Sequence, residues 1–125
     1  MNARQVKKKG IGLKFALNGL KEVFLQEKNF RIHTFSAFLV LVFSFLFRLN
    51  SYEWLFILLA IQLVFVTELI NSVIERIIDY IKPEIHPMAK VIKDMAAGTV
   101  LVSACFAVII GLIVFLPKLS KLLGI

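Results

Sequence analysis

The segment TELINSVIERIIDYIKPEIHPMAKVIKD, residues 67–94, carries a polar and an apolar stripe at one helical spacing. At about 100° per residue, Glu68, Asn71, Ser72, Glu75 and Asp79 fall on one narrow face, while Ile70, Val73, Ile74 and Ile77 fall opposite. Three carboxylates are therefore aligned. Residues 54–67, just upstream, hold no charge and read as membrane, so Glu68 stands at the end of an apolar span or inside it. A carboxylate facing lipid near the bilayer centre costs about 2.5–3.5 kcal/mol. An acid kept there is by default a buried functional group.

Working outward, the apolar run that starts at Trp54 reaches the roughly 20 residues of a straight crossing only by passing Glu68 toward Ile74. Downstream, Lys82-Pro83 ends that helix and Pro87 marks the next start, because proline disfavours helical geometry in the residue before it. Residues 95–116 form a further span without a charge, and Pro117 is expected to stop it. Along this span Thr99, Ser103, Ala107 and Gly111 repeat every four residues, a small-residue face that lets helices approach closely. Upstream, residues 48–53 are a tight polar connection, with Tyr52 and Trp54 suited to a membrane interface. Residues 32–47 read as a short first span that borrows residues at either end.

Before it, about residues 11–31, the apolar positions Leu13, Ala16, Leu17, Leu20, Val23 and Phe24 recur at helical spacing against Lys14, Asn18, Lys21 and Glu22. This is the pattern of an amphipathic helix lying on a membrane surface. Continued further, it puts Glu27 and Arg31 on the apolar side. They form an i,i+4 ion pair at a solvated helix end, or both point into a polar site. The expected fold is an all-α integral membrane domain over residues 1–125, a surface helix followed by spans at about 32–47, 54–74 and 95–116.

Composition agrees with that class. The chain is 59% hydrophobic with mean hydropathy +0.86, above the roughly 45–50% apolar content of soluble domains. Its net charge of +7 comes from 15 Lys/Arg against 8 Asp/Glu. Because the basic residues flank apolar spans, they fit an anionic lipid surface and not nucleic acid. Eight of them lie in residues 1–31 and four (Arg76, Lys82, Lys90, Lys93) in the second connection, against Arg48 alone in the first and two in the tail. By the positive-inside tendency the N-terminus and the second connection are cytoplasmic. Glu27, Glu75, Asp79, Lys93 and Asp94 then share the side where nucleotides are. The single cysteine, Cys105, lies in an apolar run and cannot form an intrachain disulfide.

No Gly-Lys-Ser/Thr loop follows Gly10 and Gly12, no Cys/His cluster suits zinc, and no Ser/His/Asp set appears; His33 and His86 stand alone and read as structural or interfacial. What remains is a group of carboxylates near Lys93, which suits a hard cation carrying phosphates. The competing reading pairs the acids with Arg76, Arg31 and Lys90.

The run Glu68-Leu-Ile-Asn71-Ser-Val-Ile-Glu75-Arg-Ile-Ile-Asp79, then His86, then Lys93-Asp94-Met-Ala-Ala-Gly98, resembles the signature of the small prokaryotic diacylglycerol kinase family, which includes undecaprenol kinases. Glu27-Lys-Asn-Phe30-Arg31 fits the same pattern. The resemblance implies a homotrimer in the bacterial cytoplasmic membrane, with sites shared between subunits where ATP and Mg²⁺ phosphorylate a lipid alcohol. It implies Glu68 as catalytic base and Glu27 and Glu75 as magnesium ligands. Glu84, His86, Lys93 and Asp94 would contact nucleotide, and Arg31 and Asn71 would serve the lipid side with Glu68. The alternatives are a small oligomeric proton or cation conductor, which also places acids on an interior stripe, and a purely structural membrane oligomer. A conductor would continue its polar lining across the membrane.

Overall fold

The computed structural model describes residues 12–81 and 86–125. Four helices follow in order: α1 (Gly12–Gln26), α2 (Lys28–Leu46), α3 (Ser51–Ile81) and α4 (Pro87–Leu123). The last three are each long and apolar enough to cross a membrane. Most of their large side chains face outward, Leu101, Phe45 and Ile113 among them, which water would not tolerate and lipid does.

α1 leaves Leu13, Leu17 and Leu20 exposed and buries only Val23, as a helix resting its apolar face on something other than this chain does. It does not run on into the first span. Glu27 takes an extended backbone (φ −107, ψ 110) and is the N-cap of α2. The break frees carbonyls at the end of α1, and the Arg31 guanidinium donates to two of them, Phe24 O and Leu25 O, each at 2.9 Å. The expected surface helix over 11–31 is thus two helices. The first span borrows its extra residues from the N-terminal side, starting at Lys28.

At the far end of α2, Arg48 adopts a left-handed φ of 53° and turns the chain. Asn50 and Glu53 then form a reciprocal cap: the Glu53 amide donates to Asn50 Oδ1 and the Asn50 amide to Glu53 Oε2, both at 2.9 Å. Leu49 is buried with Ile57 and Val114, so this end of the bundle closes on a small apolar core.

α3 has 31 residues, a length of about 46 Å against a hydrocarbon core of about 30 Å. Its buried positions are Ile57, Ala60, Val64, Glu68, Asn71 and Ser72. One stripe is therefore apolar for its first half and polar for its second, and the opposite face, Ile70, Val73 and Ile77, is exposed.

α4 begins as its sequence dictates, with Pro87 in the first turn and the His86 ring accepting from the Met88 amide at 3.1 Å. It does not stop at Pro117, which lies inside the helix. The proline ring withholds a donor from the Ile113 carbonyl, but Lys118 reaches Glu53 at 3.1 Å and Gly124, at φ 72°, caps the end. These contacts hold the last turn and a half in place.

Candidate active site

Consecutive antiparallel helices bring the start of α2, the second half of α3 and the start of α4 to one end of the bundle. The stripe read from the sequence gathers there. Glu68 is 2% exposed, and Asn71 and Ser72 are buried beside it. Asn71 Nδ2 donates to Glu75 Oε1 at 3.4 Å, while Asn71 Oδ1 and Ser72 Oγ are buried without a partner. Buried polar oxygens in that state are uncommon, and both lie on the acid face of α3.

α2 adds two groups. Glu27 stands at its N-cap and reaches Arg76 of α3 at 3.9 Å. His33 Nε2 stands 3.7 Å from Glu68 Oε2. His33 is the residue that sequence reasoning set aside as a lone histidine: it lies 35 positions from its partner, and only the register of α2 against α3 joins them. Arg31, by contrast, pairs with no acid among the described residues; its guanidinium is bound to α1 carbonyls.

The basic residues of this end are distributed over the acids. Arg76 reaches Glu22 at 3.5 Å and Glu27 at 3.9 Å, tying α3 to α1 and to the start of α2. Lys93 on α4 meets Asp79 on α3 at 2.5 Å, and Lys90 meets Asp94 at the same distance. Pairing of the acids with Arg76 and Lys90 thus occurs, but among the described residues it leaves Glu68 and Glu75 without a lysine or arginine. Lys93, through Asp79, is registered about three turns along α3 from Glu68; Asp94 follows it in the chain and His86 stands at the α4 N-cap. Glu84 lies outside the described residues.

Between α2, α3 and α4 runs a cleft of about 490 Å³. His33 and Ser36 are its polar residues; the walls include Val64, Phe65, Ala104, Ala107 and Gly111. Two members of the small-residue repeat of α4, Ala107 and Gly111, therefore line an open cleft. Among the described residues no three His, Cys, Asp or Glu side chains converge as a metal cage. Glu75, bonded to Asn71, offers carboxylate oxygens on the helix face that carries the partnerless buried oxygens, and Glu27 offers a second carboxylate from the start of α2; oxygen donors of this kind suit a hard cation that completes its shell with water and phosphate.

The fold and this cluster define an all-α, multi-pass membrane protein with an acid site at one end of its bundle. The prokaryotic diacylglycerol kinase family model matches residues 14–115. The undecaprenol kinase of Bacillus subtilis (strain 168) is 46% identical over 101 residues, 81% of this chain and 82% of that one. The diacylglycerol kinase of Helicobacter pylori (strain 26695) is 37% identical over 93 residues, covering 74% and 72% of the two chains. That of Synechocystis is 35% identical over 114 residues, 90% of this chain and 65% of its own length. The chain belongs to the prokaryotic diacylglycerol kinase family and is a membrane lipid kinase.

Proposed function

We propose that the chain transfers the γ-phosphate of ATP to the hydroxyl of a lipid alcohol, serving phospholipid or lipid-carrier recycling. Similarity favours undecaprenol over diacylglycerol as that alcohol, at 46% identity to an undecaprenol kinase against 35–37% to two diacylglycerol kinases. The observation that carries the reading is the change along the buried stripe of α3: Ile57, Ala60 and Val64 give way to Glu68, Asn71 and Ser72 beside an apolar cleft. A lipid tail belongs along the first half and its hydroxyl at Glu68. The same stripe weighs against ion conduction, because the polar lining ends at Glu68.

Glu68 is the general base, within hydrogen-bond reach of the lipid hydroxyl, and Asn71 orients Glu75. Glu27 and Glu75 would hold Mg²⁺, which when bound neutralises phosphate charge and orients the nucleotide. Glu84, His86, Lys93 and Asp94 contact the nucleotide, and Arg31 serves the lipid side by fixing the start of α2. The N-terminus is cytoplasmic and the working form is a homotrimer with sites shared between subunits. An ATP-consumption assay in mixed micelles tests this reading, with undecaprenol, diacylglycerol and no lipid as its arms. Turnover is expected with lipid alcohol only, and faster with undecaprenol; lipid-independent turnover would overturn the reading.

A further inference from the structure

Among the described residues the fixed cations near this end are engaged with groups other than Glu68: Arg76 with Glu22 and Glu27, Lys93 with Asp79, Lys90 with Asp94, Arg31 with α1 carbonyls. The basic group that faces Glu68 is His33, at 3.7 Å. A histidine differs from lysine and arginine in one respect that matters here: it gives up and regains its proton near neutral pH. The His33 side chain is 25% exposed and that of Glu68 3%, so the imidazole stands between a buried acid and its surroundings. It is also a polar wall of the apolar cleft. The other charged groups near the pair are Glu75 on α3 and Glu27 at the start of α2; α4 brings only Ala104, Ala107, Val108, Gly111, Leu112 and Phe115 to the cleft, none titratable.

We propose that His33 is a positioning residue that takes over from Glu68 the proton removed from the lipid hydroxyl. The inference rests on the reading of Glu68 as the base. In the transfer, the substrate O–H bond breaks, its proton going to Glu68 and its oxygen bonding to the γ-phosphorus. The bond from that phosphorus to the β,γ-bridging oxygen breaks, and ADP leaves with the electron pair. The proton then passes from Glu68 Oε2 to His33 Nε2, which restores an ionised carboxylate beside an imidazolium. His33 releases the proton to water. The present separation exceeds a hydrogen bond, as catalytic contacts commonly do before substrate binds. Turnover therefore requires an imidazole nitrogen free to accept a proton, and the acid limb of the pH profile is where its loss shows.

The test compares His33→Gln, His33→Lys and His33→Ala with wild type and Glu68→Gln, as full-length oligomers in mixed micelles with ATP and undecaprenol. Folding and assembly are checked by circular dichroism and size exclusion. His33→Gln is expected to lower kcat about tenfold or more with KM for ATP unchanged, and to change the acid limb of the pH profile. His33→Lys, which keeps a counter-charge but no acceptor near neutral pH, should fail equally. Added imidazole should partly restore His33→Ala, and more basic imidazoles should restore it further. A His33→Lys enzyme at the wild-type rate would make His33 a counter-charge only, and a His33→Gln enzyme with wild-type kcat and pH profile would remove it from the reaction; either overturns the inference. An active Glu68→Gln enzyme would overturn the base assignment itself, so the two failures are distinguishable.

Discussion

Glu68 sits where an unpartnered carboxylate is costly, and among the described residues the basic group that approaches it is His33, at 3.7 Å. Replacing it by Gln keeps its shape and hydrogen-bonding capacity but removes the basic oxygen. Lipid phosphorylation is expected to fall about a hundredfold or more while ATP binding survives; a folded, oligomeric Glu68→Gln enzyme with near wild-type turnover would make the carboxylate structural. Glu75→Gln, by contrast, should weaken metal-nucleotide binding as well as turnover. The acid stripe was legible in the sequence because a 3.6-residue period needs only one helix to be read. His33 was not, because its meaning depends on how two helices register. The partners of Arg31 were not legible for a related reason: its guanidinium donates to backbone carbonyls that are free only because α1 breaks.

At the scale of elements, the three long apolar helices were readable from length and hydropathy, and the start of α4 from its proline, but two features were not. Glu27 has no breaker character, so the division of α1 from α2 is set by the fold around it and not by local propensity. Pro117 has that character and is overridden. The Ile113 carbonyl it leaves without a donor makes a prediction: Pro117→Ala should restore a helical hydrogen bond and raise the thermal midpoint in detergent, with a gain of about 1–3 kcal/mol. At the start of α3, Asn50→Ala removes one half of the reciprocal cap with Glu53 and should cost about 1 kcal/mol by the same measurement. An unchanged midpoint would mean that Lys118 alone holds Glu53 and the turn.

For the whole molecule, the exposed apolar surface and the open cleft describe a chain that needs lipid or other copies of itself around it. The proposed topology is checked by cysteines placed at Asn2 and Ser120: reagent added outside should reach position 120 only, and external labelling at position 2 would put the site on the side without ATP. Assembly is tested by mixing variants. Glu68 and Glu75 lie on one helix two turns apart, and Asn71 between them bonds to Glu75. Chains carrying Glu68→Gln and Glu75→Gln should therefore fail to complement one another, since no subunit in the mixture retains both groups. Lys93 is different. It is tied to Asp79, a rise of about 16 Å along α3 from Glu68, too far to touch a phosphate that has come within bonding distance of a hydroxyl at Glu68. On the proposed reading of shared sites, a lysine that serves that phosphate comes from a neighbouring subunit. Mixing Glu68→Gln with Lys93→Ala chains should then restore activity that neither variant has alone, because some sites draw an intact Glu68 from one chain and an intact Lys93 from the next. If that mixture stays inactive while each variant still assembles with wild type, Lys93 acts within its own chain and the sites are not shared through it.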